Sequence, residues 1–340
     1  MSGDGNQARR HLRSLVAASF DEYRDTTSLV PREPEVIRAG KVGGLPFDSL
    51  TTDLAGGCLP ARHVCYGNCF AARAAFEAGI DFGTRVRNVI ESDVLRGDLA
   101  ALPASQGYLR NGWNSDPSWE WQLALELSNE VVASGRHMVF ITKCFRKPDA
   151  HTMVALASLR VELRVSISAF DSDSQLRMRT ELVEAYRAAG GVAIPQLMSA
   201  SFADEELNRR QAQILDYFEA ADFPMSENSL RFAADSTVLP AIALTTCGRV
   251  SSNGDYWSGR LFTSLSIPTL TTLPPWYRGL SSGFRSKIGS DELANLWYDP
   301  VPTHDEVMSG VFDKPTQCGV AAELPAHSLT WTSGATDSAR

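Results

Sequence analysis

The sequence predicts an α/β protein: a partial (β/α)6 barrel of the TIM type, with an N-terminal lead-in and a C-terminal extension. Three observations carry this. Extended segments alternate with helical ones five or six times over short connections, the pattern of a parallel sheet covered by helices. Polar residues gather at the C-terminal ends of the extended segments, where barrel enzymes place their chemistry. No Gly-x-Gly-x-x-Gly fingerprint opens a helix, which weighs against a dinucleotide-binding sheet.

Residues 1–45 form the lead-in, with a helical stretch near Gln7 to Tyr23 and then a Pro- and Gly-punctuated segment. The barrel is expected over residues 46–250. Its first strand, Leu50 to Leu54, runs into Gly56-Gly57-Cys58, and an Ala-rich helix from Phe70 follows and stops at Gly79. A second strand, Gly107 to Asn111, ends at Gly112-Trp113-Asn114-Ser115-Asp116-Pro117. The helix expected from Trp119 to Ser134 carries Leu123, Leu127 and Val131 on one face. His137 to Thr142 is the third strand and ends at Lys143-Cys144; a helix near Ala150 to Ser158 comes next. Val161 to Ile167, the helix Ser174 to Ala189, Val192 to Leu197 and the helix Asp204 to Ala221 continue the alternation. A last apolar run, Val238 to Thr246, is expected to be a strand ending at Cys247. Residues 251–325 are rich in aromatics without clear periodicity and are expected to pack on the barrel. Residues 326–340 are small and polar and are expected to be disordered.

The 340 residues are 44% hydrophobic and 21% charged, ordinary values for a soluble globular chain. A net charge of −8 argues against nucleic acid as a partner and against anionic membranes. No stretch is long and apolar enough to span a bilayer, and the start of the chain lacks the apolar core of a secretion signal. The cytoplasm is the expected compartment.

Three of the six cysteines fall within twelve residues, as Cys58-x6-Cys65-x3-Cys69, between the first strand and the first helix. Close cysteines outside a disulfide scaffold read as metal binding. Thiolates suit both iron–sulfur clusters and zinc. Three sulfurs with no nearby fourth leave one corner of a cubane cluster open for a non-protein ligand. His63, inside the loop, would instead complete a four-ligand structural zinc site.

This arrangement resembles the radical SAM superfamily, in which a three-cysteine loop follows strand 1 of a (β/α)6 partial barrel. The spacing here is wider than that family's commonest Cys-x3-Cys-x2-Cys. The likeness extends over residues 48–247. Asn111-Gly112-Trp113-Asn114-Ser115-Asp116-Pro117, Ile141-Thr142-Lys143 and Arg164-Val165-Ser166-Ile167-Ser168 are similar in order and spacing to the spore photoproduct lyase-like branch. The resemblance implies a [4Fe–4S] cluster on Cys58, Cys65 and Cys69, with S-adenosyl-L-methionine (SAM) chelating the remaining iron. It implies reductive cleavage of SAM to a 5′-deoxyadenosyl radical, with an electron donor such as flavodoxin or ferredoxin as partner. Asn111, Asn114, Ser115 and Asp116 would meet the methionine amino group, and Ser166 and Ser168 the ribose or the carboxylate. Tyr66 and Asn68 would contact adenine, with Gln196 at a further strand end.

Three residues are candidates for chemistry on the substrate. Lys143 would bind the SAM carboxylate or an anionic substrate. Cys144 and Cys247, both at expected strand ends, would return a hydrogen atom to a substrate radical or, with Cys318, hold a second cluster. Their plainer reading is the buried small hydrophobe that free cysteines most often are. Trp257, Trp276, Tyr277 and Trp297 read first as packing aromatics, and Arg249 and Arg260 flank Trp257 as a possible phosphate or base contact. No metalloprotease, nucleophile-elbow or Walker pattern occurs. The expected activity is a radical SAM enzyme acting on a small-molecule or nucleotide substrate. Attack through SAM's aminocarboxypropyl fragment, a peptide substrate, a zinc-stapled non-enzyme and a barrel hydrolase or lyase with incidental cysteines remain the other readings.

Overall fold

The computed structural model describes residues 29–41, 50–51, 53–58, 69–102, 108–111, 115–234, 236, 238–249, 255–262 and 308–309. The expected helix near Gln7 to Tyr23, most of the cysteine loop and the expected tail 326–340 lie outside them.

The strands are β1 (Gly40–Lys41), β2 (Leu50–Thr51), β3 (Ala55–Gly56), β4 (Val86–Arg87), β5 (Tyr108–Asn111), β6 (His137–Thr142), β7 (Glu162–Ile167), β8 (Val192–Leu197), β9 (Ser226–Glu227), β10 (Arg231–Phe232), β11 (Gly248–Arg249) and β12 (Tyr256–Trp257). The helices are α1 (Phe70–Glu77), α2 (Ser92–Ala101), α3 (Trp121–Ala133), α4 (Ala150–Ser158), α5 (Asp173–Ala188) and α6 (Glu205–Ala220). One sheet runs in the order β1-β2-β5-β6-β7-β8-β9. From β2 to β9 every pairing in it is parallel, and β1 joins β2 antiparallel. The parallel strands are therefore in sequence order. A doubly wound sheet reverses its order at a switch point; a singly wound one with right-handed crossovers keeps its helices on one face, as barrels do. The fold is thus an α/β sheet consistent with a partial barrel, and among the described residues no ladder joins β9 back to β1 or β2.

Strand alternation sorts the two faces. Leu109, Met138, Phe140, Leu163, Val165, Ile167, Ala193 and Leu197 belong to the main core with Leu127 of α3, Leu156 of α4, Tyr186 of α5 and Phe218 of α6. The other face is buried but polar. In register across it lie Arg110, Val139 and Glu162, then Ile141, Arg164 and Ile194, then Ser166, Gln196 and Ser226. Inside it the Glu162 carboxylate sits between His137 Nε2 at 3.3 Å and Arg164 Nε at 2.8 Å.

Three local expectations are corrected. The extended segment from Leu50 does not run through to Leu54: β2 ends at Thr51, and Ala55–Gly56 pairs antiparallel with Val86–Arg87 in a separate ribbon. The apolar run Val238 to Thr246 is not a strand but two 3-10 turns, Leu239–Ala241 and Leu244–Thr246. Pro240 supplies no N–H for a ladder and a φ that suits a helical first turn. The run is apolar because it packs with Phe202, Leu207 and Phe232 in a second cluster. The last parallel strand is the short Ser226–Glu227, and Cys247 accordingly does not end a barrel strand. Third, α3 starts at Trp121, and Trp119 belongs to a separate turn, Pro117–Trp119, capped by Asp116.

Candidate functional site

Two of the three clustered cysteines fall within the described residues, and both border one small apolar cluster. Cys58 is buried with Ala71, Ala72, Ala75 and Phe82, and Cys69 packs against the same group together with Trp119 and Phe145. The sequence builds this closely. Gly57 has φ +82, and a Cβ there would meet the Thr84 carbonyl oxygen at 2.3 Å. Only glycine lets this backbone lie against the 82–84 segment, where Cys58 N–H donates to the Phe82 carbonyl at 3.0 Å. Cys69 is the N-cap residue of α1, where the positive end of the helix favours a thiolate. Trp119 follows β5 and Phe145 follows β6, so this patch lies beside the C-terminal ends of the parallel strands.

Trp119 completes the patch. Its indole Nε1–H donates to the Cys58 sulfur at 3.4 Å, its ring stacks on Phe145 at 5.0 Å between centroids, and the Arg85 guanidinium lies 3.7 Å over its centroid. The Arg146 guanidinium approaches the same ring at 5.0 Å.

The strand ends are tied by hydrogen bonds. Asp116 Oδ1 accepts from Thr142 Oγ1 at 2.6 Å and from Ser118 N–H at 2.9 Å, and Oδ2 accepts from Lys143 N–H at 2.6 Å. Thr142 Oγ1 in turn accepts from Cys144 N–H at 2.8 Å, and Ser118 Oγ from Phe145 N–H at 2.9 Å. The Arg179 side chain donates to the Lys143 carbonyl and pairs with Asp171, whose Oδ2 accepts Ser168 N–H at 2.9 Å. Further round, Glu227 at the end of β9 accepts from Ser199 Oγ at 2.6 Å and from the backbone N–H groups of Leu261 and Phe262. Burial pushes the Glu227 carboxyl up from its ordinary value despite these bonds.

The expected site residues fall into distinct groups. Cys58 and Cys69 are brought together; Cys65, Tyr66, Asn68 and Asn114 lie outside the described residues, as does Cys318. Ser166 and Gln196 are adjacent in register on the polar face, next to Ser226. Among the described residues, Gln196 Nε2, the hydroxyls of Ser226 and Ser115 and both terminal nitrogens of Arg164 are buried with no hydrogen-bond partner. These are unspent donors of the kind a polar ligand satisfies. Asp116 uses both oxygens to tie β5 to β6. Asn111, register partner of Phe140, shares the helix-facing side with Leu109 and Leu163. The Ser168 hydroxyl accepts Phe170 N–H in the turn after β7. Lys143 follows Thr142 at the end of β6, half-buried.

Cys144 is fully buried in the main core at φ +47, and burial together with the Asp116 carboxylate pushes its thiol up to about 12. Cys247 packs beside the second cluster, where burial pushes its thiol up to about 11. Trp257 is buried, its Nε1–H on Ser229 Oγ at 2.6 Å, and Arg249 stacks on Tyr256. Trp119, Ser118, Arg85, Arg146 and Glu227 stand in no sequence motif that marks them for a site. The Asp116-Pro117 pair, an N-cap followed by Pro at the first turn position, was the available signal that Trp119 is separate from α3.

Among the described residues no three His, Cys, Asp or Glu side chains form a metal-holding group, Cys65 not being one of them. Nor is any described helix long and apolar enough to cross a membrane. No family model matches the chain, and no curated protein matches it. Among solved structures, a mutant of spore photoproduct lyase is similar, at 15% identity over 70% of this chain and 76% of that chain, with a TM-score of 0.47.

Proposed function

We propose that this chain is a radical SAM enzyme holding a [4Fe–4S] cluster on Cys58, Cys65 and Cys69 and acting on a small-molecule or nucleotide substrate. The observation that carries the reading is the convergence of Cys58 and Cys69 on one small apolar cluster beside the C-terminal strand ends. Thiolates are the ligands an iron–sulfur cluster takes, and an apolar, N–H-lined surround is what tunes one. The cysteine spacing and the strand-end motifs of residues 48–247 support the same reading from the sequence. When bound, the cluster and SAM supply a 5′-deoxyadenosyl radical; the protein's part is to hold, orient and exclude water.

In this reading Ser115, Ser166, Gln196 and Ser226 offer hydrogen bonds to the polar groups of SAM or substrate. Lys143 places a cation at the same strand-end level, suited to a carboxylate. Asp116 holds the loops that carry these groups instead of binding the ligand itself. The electron comes from a donor of the flavodoxin or ferredoxin class.

The test is anaerobic reconstitution of the full chain, with iron and sulfide counted, followed by dithionite and SAM. Iron and sulfide in equal amounts with release of 5′-deoxyadenosine supports the proposal. Methylthioadenosine instead redirects it to the aminocarboxypropyl route. Bound zinc, no iron and intact SAM overturns it in favour of a zinc-stabilised protein.

A further inference from the structure

We propose that Trp119 sets the reduction potential of the cluster, by donating its indole N–H to the Cys58 sulfur while Arg85 and Arg146 place positive charge on its ring. This rests on the assignment of Cys58 as a cluster ligand. The donor is aimed and held: Nε1 lies 3.4 Å from the sulfur, and the ring is fixed against Phe145 at an interplanar angle of 11°. Both aromatics are anchored by the strand-end network, since Ser118 Oγ accepts Phe145 N–H while Asp116 caps the turn that carries Trp119. The hydrogen bond is therefore made before any ligand arrives.

The physical consequence has a sign. Reduction adds one electron, taken from the external donor, to the cluster and its thiolates, and no bond in the protein forms or breaks. An N–H aimed at a ligating sulfur stabilises the more negative, reduced state, and so do nearby guanidinium charges. Each therefore raises the potential. Arg85 lies closest, 3.7 Å from the ring centroid, and makes the indole a stronger donor by withdrawing its π density. Trp119 is thus a positioning and tuning residue, without contact with substrate in this role.

The experiment is a redox titration of reconstituted full-length protein, followed by electron paramagnetic resonance of the reduced cluster, with iron and sulfide counted in every sample. Trp119→Phe keeps the stack and loses the N–H. At fixed ambient potential its ratio of reduced to oxidised cluster is expected to fall about tenfold, equivalent to ~59 mV for a one-electron couple. Arg85→Gln removes an exposed charge from over the Trp119 ring and leaves the Nε1–H donor and the Phe145 stack, and a smaller fall in the same direction is expected. A merely structural Trp119 would lower the yield of loaded protein and leave the potential of the loaded fraction in place. Wild-type potential in a fully loaded Trp119→Phe protein overturns this inference and leaves the cluster assignment standing. A wild-type chain that takes up no iron overturns both.

Discussion

The Thr142 hydroxyl donates to Asp116 Oδ1 at 2.6 Å, a bond that ties the loop after β5 to the end of β6. The same Thr142 oxygen accepts Cys144 N–H, and the other Asp116 oxygen accepts Lys143 N–H. Two buried side chains thus satisfy backbone donors that no ladder reaches, at the point where the chain turns left-handed at Cys144. With the Ser118–Phe145 bond, this pair ties the loop after β5 to the residues that follow β6.

Asp116→Asn keeps the shape and replaces one accepting oxygen by a donor facing another donor. A loss of about 1–3 kcal/mol of stability is expected, the cost of a buried donor left unmade. Thr142→Val removes the hydroxyl that bridges Asp116 and Cys144 N–H, and a similar loss is expected. Because the two share one hydrogen bond, their effects should couple by about 0.5–3 kcal/mol in a double-mutant cycle read by urea denaturation. Additive losses would mean that the bond is not made in solution.

Glu162 gives a prediction about acid. It is fully buried on the polar face; burial opposes its ionisation, but Arg164 and His137 outweigh burial and hold the carboxyl below its ordinary value. The stability this contributes is fully present above the unfolded carboxyl pKa of about 4.3. It is lost as pH falls through the lower folded value. Glu162→Gln leaves the buried Arg164 guanidinium without its counter-charge, so a loss of about 3–5 kcal/mol near neutral pH is expected. Denaturant midpoints measured across acid pH should show the variant's dependence flattened relative to wild type.

How much of this was legible beforehand depended on what each segment buries. His137–Thr142 and Val192–Leu197 were expected with the bounds observed, because both are apolar runs stopped by polar residues or glycine. Ser226–Glu227 escaped notice because a two-residue strand with polar side chains leaves no apolar signature. The opposite error occurred at Val238 to Thr246, whose apolar residues serve the second cluster and not the sheet. Helix Ser92–Ala101, with Gly97 in its middle and only Leu95 and Leu99 buried, also gave too weak a stripe to be recognised. In the site, cysteine spacing was readable, but the Trp119 contact with Cys58 joins residues 61 apart and depends on the register of strands. Asn111 shows the same limit. Its place in a polar motif was visible, whereas its side of the strand followed only from pairing with Phe140.

Glu227 predicts the opposite pH behaviour from Glu162. Burial raises its carboxyl pKa in the folded protein, so the folded state binds that proton more tightly than the unfolded one. Stability should therefore fall as pH rises from about 4.3 through the higher folded value. Glu227→Gln removes this fall while giving up one acceptor. Its two oxygens also hold the Leu261 and Phe262 amides, and Gln keeps only one of them, so hydrogen exchange of at least one amide should quicken in the variant, about tenfold for ~1.4 kcal/mol. Unchanged exchange at both amides would show that the 255–262 segment is held by other contacts.

The last prediction separates the cysteines by role. Cys58, Cys65 and Cys69 each change to Ala with the same expected result, loss of the iron and of its visible absorbance. Cys144→Ala and Cys247→Ala should keep the iron, since one thiol sits in the main core and the other beside the second cluster. Cys144→Ala should nonetheless be less stable, because removing a buried sulfur from the main core leaves a cavity. Alkylation of the iron-free protein near neutral pH gives an independent reading. With thiols pushed up to about 12 and about 11, Cys144 and Cys247 remain protonated and should react slowly. Cys69, half-buried at the N-terminus of α1, should react faster, and mass spectrometry of the labelled peptides distinguishes them. Rapid labelling of Cys144 would place it at an open site, and its role as a hydrogen-atom donor to a substrate radical would then be the better reading.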